Sequence, residues 1–356
     1  MTINHRNLEF GLDTFGDLAF DDTTKERISY SESLRNIVAE GKLADEVGLD
    51  VFALGEHHRP DFIISAPEVI LAAAASITKN IRLSSAVTVL SSADPVRTFQ
   101  NFASLDLISN GRAEIMAGRG SFIESFPLFG YDLKDYDELF TEKLDMLLKI
   151  NQQVEVNWAG KHRASLHGEG IYPRPYQESI PVWLAVGGTP ASAVRAGTLN
   201  LPMTVAILGG PPDRFVPFVN LYRQAAERAG HDVAQLQLAI NSHFYMADDS
   251  QQASDDFYPP YELLMNRVGR ERGWSPMTRM QFEQMRQYGP LMVGSPQQII
   301  DKILYFHELF GNTRYLAQLV GGHNLPHAKT LRAIELFGTK VAPAVRKALE
   351  KKTVTP

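Results

Sequence analysis

The sequence contains no cysteine among its 356 residues. This absence excludes disulfide bonds, cysteine-ligated metal sites and a thiolate nucleophile. Lysine and arginine total 35 against 41 aspartates and glutamates, which gives a net charge of -6. No sustained basic stripe is present of the kind that neutralises a phosphate backbone, so we expect no nucleic-acid partner.

Long apolar runs are also missing. The longest, around residues 69–75, is far shorter than the roughly 20 residues that span a bilayer. Residues 1–7 lack the apolar core of a signal peptide, so we expect a soluble, cytoplasmic protein without a membrane segment. With 44% hydrophobic and 21% charged residues, the chain can bury a full core as one large α/β barrel or as two ordinary domains.

Short apolar runs typical of strands alternate with longer helical patterns along the chain. The eight predicted strands are residues 8–14, 50–55, 81–90, 112–117, 181–186, 203–208, 237–246 and 314–320. Strands separated by helices pair in parallel through right-handed crossovers. Eight such units predict a single TIM (β/α)8 barrel of class α/β over residues 1–356, with a doubly wound sheet as the second choice.

Three helix starts are marked by a capping residue directly before proline. Asp94, Thr189 and Ser295 each have the side chain of an N-cap and precede a proline at the first helical position. Ser295 and Gln298 also have the spacing of a capping box.

Two segments interrupt the alternation of strands and helices. Residues 151–180 contain two short β-type runs separated by glycines and polar residues, so we predict a small hairpin before the fifth strand. Residues 247–290, after the seventh strand, are too long for a simple connection. A mobile lid and a packed helical subdomain are both open alternatives for this second insertion.

An acid and two imidazoles, Glu56, His57 and His58, follow the apolar run 50–55. Ligand sites of parallel α/β folds lie at such C-terminal strand ends. Adjacent side chains on an extended strand point to opposite faces, so these two histidines are poorly placed to bind one metal ion. A metal hydrolase is therefore the weakest functional hypothesis. A lone histidine at a strand end is, by itself, more often hydrogen-bonded scaffold than a catalytic group.

Arg119 follows the fourth predicted strand, and the flanking Gly118 and Gly120 allow a ligand to approach the backbone closely. A planar, always charged guanidinium suits an anion. The structural alternative is an ion pair between Arg119 and a carboxylate such as Glu124.

Gly187, Gly188 and Thr189 follow the fifth predicted strand and precede a helix. Free amides at a helix N-terminus, next to a capping hydroxyl, can bind an anion. A double glycine before a helix is also often only a tight turn.

Taken in order, several short segments resemble the bacterial luciferase-like flavin-dependent monooxygenases over nearly the whole chain. These segments are residues 56–58, 84–97, 105–112, 117–120, 126–130, 187–189, 201–203 and 293–297. Residues 55–62 and 118–130 further resemble an uncharacterised subgroup of FMN-dependent oxidoreductases. The resemblance implies a TIM barrel that binds FMN at its C-terminal face.

The resemblance also implies roles for individual residues. His57 is the implied catalytic residue, Arg119 contacts the FMN phosphate, and a non-prolyl cis peptide bond joins Ala86 to Val87 behind the isoalloxazine ring. The implied cofactor-binding residues are Glu56, Ala86, Val87, Arg119, Gly120, Ser121, Gly187, Gly188 and Thr189. Gly118 replaces the reactive cysteine of luciferase, so light emission from a long-chain aldehyde is not expected.

The activity implied by the resemblance is monooxygenation. Reduced FMN, delivered as a co-substrate by a separate flavin reductase, reacts with O2 to a flavin hydroperoxide that oxygenates a small organic molecule. No GxGxxG fingerprint follows a strand, so the chain has no evident nicotinamide domain of its own. Candidate residues for the substrate pocket are Thr14, Phe15, Phe62, Phe122, His243 and Tyr245.

Two other functions stay open at this point. Related barrels bind a deazaflavin and transfer hydride without oxygen, and some luciferase relatives are non-catalytic flavin-binding proteins. The resemblance also implies a homodimer or a higher homo-oligomer, although one sequence cannot establish an apolar interface.

Overall fold

The computed structural model describes residues 8–18, 28–120, 122–320 and 325–354. Its strands are β1 (Glu9–Thr14), β2 (Val51–Leu54), β3 (Arg82–Ser85), β4 (Thr88–Val89), β5 (Ala113–Gly118), β6 (Glu155–Trp158), β7 (Leu166–Gly170), β8 (Val182–Val186), β9 (Met203–Ala206), β10 (Leu238–Met246), β11 (Met292–Gly294) and β12 (Arg314–Leu319). Its α-helices are α1 (Tyr30–Glu46), α2 (Pro67–Ala75), α3 (Pro95–Ser109), α4 (Ser125–Phe129), α5 (Tyr136–Gln152), α6 (Pro190–Thr198), α7 (Val216–Arg228), α8 (Ser250–Arg272), α9 (Arg279–Gln287), α10 (Pro296–Phe310), α11 (His327–Leu336) and α12 (Ala342–Val354). Shorter helical segments are Leu133–Asp135, Pro212–Phe215, Val233–Gln235 and the π-helical Phe337–Val341.

Eight parallel strands close into a barrel in the order β1, β2, β3, β5, β8, β9, β10 and β12, and β12 pairs with β1. This closure confirms the predicted TIM barrel. The prediction of one continuous strand over residues 81–90 is wrong. A cis peptide bond between Ala86 and Val87 separates β3 from β4, and β4 pairs with β5.

Side chains alternate along each strand between the barrel interior and the layer of helices outside it. Val51, Ala53, Met116, Trp183 and Leu316 belong to one buried cluster inside the barrel. The residues between them along the strands join a larger cluster under the helices. The buried core therefore has two layers, as a TIM barrel requires.

Paired charges fill the N-terminal end of the barrel. The Arg314 guanidinium donates two hydrogen bonds to Glu114, at 2.8 and 3.1 Å, and one to Glu9 at 2.9 Å. Arg82 forms ion pairs with the same two carboxylates. The C-terminal end is therefore the open mouth of the barrel.

Both insertions are ordered secondary structure. β6 and β7 pair in antiparallel fashion, which confirms the hairpin predicted before the fifth barrel strand. The second insertion consists of α8 and α9, ends just before the short β11, and buries the rings of Phe257, Tyr261 and Phe282. This packing agrees with the helical-subdomain alternative, and movement of the insertion as a lid stays a prediction. Among the described helices, none has both the length and the apolar character needed to cross a membrane.

Two of the three predicted helix caps form as expected. The Asp94 side chain accepts a hydrogen bond from the Arg97 amide, and Ser295 and Gln298 form a capping box. At the start of α6, however, the Thr189 side chain makes no cap hydrogen bond. Thr189 is nevertheless the N-cap residue of α6 and precedes Pro190, as predicted, while its hydroxyl accepts a hydrogen bond from Arg119.

Candidate active site

Two glycines enclose the cis peptide bond at the barrel mouth. A Cβ atom at Gly55 would lie 2.6 Å from the Ala86 carbonyl oxygen, and one at Gly118 would lie 2.7 Å from Val87 Cγ2. Neither position can hold a side chain without displacing its neighbour. The ends of β2, β3 and β5 therefore meet in one closely packed row with Ala86 and Val87 at its centre.

Glu56 connects the end of β2 to this row. One of its carboxylate oxygens lies 2.7 Å from His58 Nε2, and the other accepts a hydrogen bond of 3.0 Å from the Val89 amide. Both side chains are largely buried. Glu56 therefore holds the segment that follows the cis peptide bond, with His58 as its partner.

His57 points to a different set of neighbours. Its ring is packed among three phenylalanines, with centroid distances of 4.5 Å to Phe15, 4.6 Å to Phe62 and 4.9 Å to Phe122. His57 is 5% exposed, and its Nδ1 lies 3.7 Å from Glu124 Oε1. The two adjacent histidines thus engage different carboxylates and do not face a common ligand position.

Glu124 is the negative charge beside His57. Burial acts to raise its pKa, but the His57 imidazole and the His58 amide hold the pKa of Glu124 below its usual value. The carboxylate is therefore charged near neutral pH and can stabilise a positive charge on the His57 ring.

Arg119 lies at the end of β5 and reaches across to the start of α6. It donates hydrogen bonds to Thr189 Oγ1 at 3.1 Å and to Ser192 Oγ at 3.3 Å, and it pairs with the exposed Asp137. The guanidinium also stacks over the Tyr136 ring at 5.2 Å. Arg119 therefore does form the ion pair with a carboxylate that was the structural alternative, but its partner is Asp137, because Glu124 is turned toward His57.

The remaining predicted cofactor residues lie around Arg119. Gly187 and Gly188 are exposed, with open space where a side chain would be, and Gly188 has a φ of +114°. The Gly120 carbonyl accepts a hydrogen bond of 2.9 Å from the Tyr136 hydroxyl. Ser121 lies outside the described residues. Asp137, Tyr136 and Ser192 were missed from the sequence because nothing in their local pattern distinguishes them from ordinary helix residues.

The candidate pocket residues divide into two groups. Phe15, Phe62 and Phe122 surround His57 at the mouth, and His243 lies on the interior face of β10. Thr14 instead faces outward and accepts a hydrogen bond from the Gly16 amide. Tyr245 is buried against Phe257 and donates a hydrogen bond to Asp256. Thr14 and Tyr245 line a separate cavity beside α1 and α11.

A buried acid inside the barrel was also missed. Asp13 is 3% exposed and accepts a hydrogen bond of 2.5 Å from Asn241 Nδ2 on β10. Burial raises the pKa of Asp13 to about 8. The sequence feature that could have revealed Asp13 is an acidic residue at an interior position of β1, two residues before Phe15.

The helix α8 lies across part of the mouth. Tyr261 contacts His243 of β10, whereas Arg267 and Glu271 form ion pairs with Asp61 and Arg59 in the loop after β2. In the barrel, β12 and β1 lie between β10 and β2. The helix therefore passes over the C-terminal ends of β12 and β1, close to His57.

Comparison with known sequences identifies relatives of this chain. A sequence model described as luciferase-like monooxygenase matches residues 9–313. An uncharacterised protein, y4vJ of Sinorhizobium fredii, is 26% identical over 337 residues, which cover 90% of this chain and 94% of the relative. The 4-hydroxyprotoasukamycin monooxygenase of Streptomyces nodosus is 25% identical over 325 residues, with 87% and 86% covered.

Solved structures share the fold. Monooxygenase RslO1 of Streptomyces bottropensis superposes with a TM-score of 0.81 at 22% identity, over 95% of this chain and 99% of the other. The FMN complex of the oxygenating constituent of 3,6-diketocamphane monooxygenase from Pseudomonas putida gives 0.75 at 20% identity, over 95% and 98%. A coenzyme F420-dependent tetrahydromethanopterin reductase of Methanopyrus kandleri gives 0.71 at 19% identity, over 96% and 100%.

Proposed function

Because this chain belongs to the luciferase-like monooxygenase family, we propose that it uses reduced FMN and O2, through a flavin hydroperoxide, to oxygenate a small organic substrate. The observation that carries this proposal is the meeting of three features at one barrel mouth. Arg119 provides an anion site at the ends of β5 and β8, His57 lies in an aromatic enclosure after β2, and the Ala86–Val87 peptide lies between them.

The Arg119 side of the mouth suits a phosphate monoester. The hydroxyls of Thr189 and Ser192 both lie within hydrogen-bonding distance of the Arg119 guanidinium. Gly187 and Gly188 are exposed, with open space where a side chain would be, and α6 begins just after them at Pro190. Charge-assisted hydrogen bonds and exposed amides are what a phosphate dianion requires. We propose that these groups hold the phosphate of FMN.

The His57 side of the mouth suits chemistry that must exclude water. Phe15, Phe62 and Phe122 enclose the imidazole, while Glu124 faces its Nδ1. This arrangement leaves Nε2 as the ring nitrogen for a bound ligand. We propose that His57 holds or moves a proton there, and that Val87 supports the flavin ring. The flavin supplies the reactivity toward oxygen.

A direct test is rapid mixing of the protein, loaded anaerobically with reduced FMN, with oxygenated buffer. The proposal predicts an oxygen adduct that persists well beyond the reoxidation time of free flavin. His57→Ala is expected to lower the rate of substrate oxygenation by about 10²–10⁴-fold, the usual contribution of a positioned proton-transfer group. Full oxygenation by His57→Ala would remove His57 from the mechanism.

A deazaflavin cofactor is the second candidate, favoured by the similarity of the fold to an F420-dependent reductase. The Arg119 site can accept the phosphate of either cofactor, so binding must be compared directly. Tight F420 binding with no reduced-FMN binding would replace the proposal with hydride transfer. FMN binding without an oxygen adduct or turnover would indicate a flavin-binding protein.

We also propose that a separate reductase supplies the reduced flavin, because the sequence has no GxGxxG nicotinamide fingerprint. A homodimer or higher homo-oligomer and a cytoplasmic location complete the proposal. Sedimentation of the purified protein tests the oligomeric state.

A further inference from the structure

His243 lies on the interior face of the barrel on β10, which only β9 separates from β8 at the Arg119 site. Register places it beside Gln318 of β12, which in turn lies beside Asp13 of β1. Its neighbours along β10, Ser242 and Phe244, are buried, whereas His243 is partly exposed. The imidazole therefore reaches the floor of the mouth from β10.

Small apolar side chains form another part of the barrel interior at the strand ends. Val87, Ala185 and Ala206 are also partly exposed, and they come from the ends of β3, β8 and β9. None of these three side chains can hydrogen-bond to a ligand. A ligand that enters over them therefore meets His243 as a polar contact on the β10 side.

Tyr261 of α8 fixes the orientation of this imidazole. Its hydroxyl lies 3.2 Å from His243 Nδ1, and the two rings meet edge to face with centroids 5.6 Å apart. Tyr261 is fully buried and stacks on Phe257. The contact engages Nδ1 and leaves Nε2 for a ligand, since one ring nitrogen sets the role of the other.

His243, Asp13 and Gln318 on the interior face of the barrel are neutral near neutral pH. Burial lowers the pKa of His243 to about 4 and raises that of Asp13 to about 8. Gln318 is buried, and its Oε1 has no hydrogen-bond partner among the described residues. A charged ligand would find no opposite charge on these groups. An uncharged ligand could form hydrogen bonds with them without burying an unpaired charge.

We propose that His243, oriented by Tyr261, is a specificity-determining residue that hydrogen-bonds through Nε2 to the oxygen of an uncharged organic substrate. The apolar body of that substrate would lie toward the phenylalanine rings around His57. The inference rests on the proposed function, because it places the substrate beside a flavin whose phosphate is held at the Arg119 site.

The test compares the binding of matched small probes. Each uncharged oxygen-bearing probe, acetophenone and cyclohexanone, is paired with its hydrocarbon analogue, α-methylstyrene and methylenecyclohexane, and benzoate serves as the anion. Dissociation constants are read from absorbance changes of oxidised FMN bound to the protein. We expect at least one oxygen-bearing probe to bind about tenfold or more tightly than its hydrocarbon analogue, and benzoate to bind weakly.

Two variants and one control assign this preference to His243. His243→Phe should reduce the ratio of the two dissociation constants to near one, and Tyr261→Phe should reduce it in part because the imidazole loses its orientation. His231→Gln, in the turn after α7, should leave the ratio unchanged. Melting temperatures establish that each variant is folded, and Tyr261→Phe tests the proposal if His243→Phe fails to fold.

Histidine NMR of the flavin-free protein gives an independent reading. With ¹⁵N-labelled histidine, the oxygen-bearing probe should shift the His243 resonance, assigned by its loss in His243→Phe, and leave that of His231 in place. A preference that survives His243→Phe, an absence of preference in the parent protein, or an unshifted His243 resonance would overturn the inference. Failure of FMN to bind, with the His243 shift retained, would overturn the proposed function instead.

Discussion

Gly118 lies directly against the side chain of Val87, so that a Cβ atom at position 118 would come within 2.7 Å of Val87 Cγ2. This contact couples the end of β5 to the cis peptide segment. By the family resemblance, luciferase has a reactive cysteine where this chain has Gly118. In this chain the size of Val87 excludes that cysteine, unless the segment behind the proposed flavin ring shifts.

Substituting Gly118→Cys should therefore destabilise the protein by about 1–3 kcal/mol, the usual cost of overpacking, and should weaken FMN binding. Val87→Ala removes the two methyl groups that the new side chain meets. The double variant should recover most of the lost stability, as measured by melting temperature and analysed as a double-mutant cycle. Strictly additive effects would mean that the two residues are not coupled.

The Arg119 site predicts a loss of binding that is specific to the phosphate. Arg119→Ala should weaken FMN binding by about tenfold or more, because a hydrogen bond to a charged group contributes about 1.5–3 kcal/mol. Riboflavin, which lacks the phosphate, should bind both proteins equally. Arg163→Ala, which removes an arginine paired with Asp94, is the matched control. An equal loss for FMN and riboflavin would indicate general damage to the mouth.

The barrel could be predicted from the sequence because its signal is local and repeated. Short apolar runs separated by helical patterns located all eight barrel strands, and the family resemblance located the cis peptide bond at Ala86 and Val87. Arg119 and Thr189 also lie together as expected, since β5 and β8 are neighbours and parallel strands bring their C-terminal ends to one edge.

Contacts between distant segments could not be predicted in this way. Asn241 and Asp13 are separated by 228 positions, and no periodicity links them. Arg119 had several carboxylates within reach along the chain, so the choice of Asp137 over Glu124 depends on the path of α5. The sequence leaves a helical subdomain open for residues 247–290 but does not delimit α8, which contains Pro259 and Pro260, whereas proline normally ends a helix.

Asp13 predicts a pH dependence of stability. Its pKa is raised to about 8 in the folded protein, whereas an unfolded aspartate titrates near 3.9. Between these two pKa values the folded state binds more protons than the unfolded state. The free energy of unfolding should therefore fall as the pH rises from about 4 to about 8. Each pKa unit is worth about 1.4 kcal/mol, so the total effect should amount to several kcal/mol.

Asp13→Asn keeps an acceptor for Asn241 and removes the titration. Its melting temperature should therefore rise relative to that of the parent protein between pH 5 and pH 8. The exposed Asp213→Asn should follow the parent at both pH values. A constant difference between Asp13→Asn and the parent across this range would contradict the assignment.

The ion pairs at the end of α8 predict a local effect on dynamics. Asp61 Oδ2 lies 2.9 Å from Arg267 Nη2, and Asp61 is largely buried. Asp61→Asn should speed hydrogen exchange over residues 262–274 by about tenfold, since the loss of a charged hydrogen bond costs about 1.5–3 kcal/mol. Asp248→Asn, which removes an exposed pair with Arg332, should not. Unchanged exchange in Asp61→Asn would show that these pairs do not hold the helix over the mouth.

The central claim is that this barrel mouth holds reduced FMN by its phosphate, and an anaerobic titration tests it most directly. Reduced FMN, reduced riboflavin and reduced F420 are titrated separately into the protein, and the dissociation constants are compared. The account predicts that reduced FMN binds more tightly than reduced riboflavin by tenfold or more, and more tightly than F420. Equal binding of FMN and riboflavin, or binding of F420 alone, would contradict it.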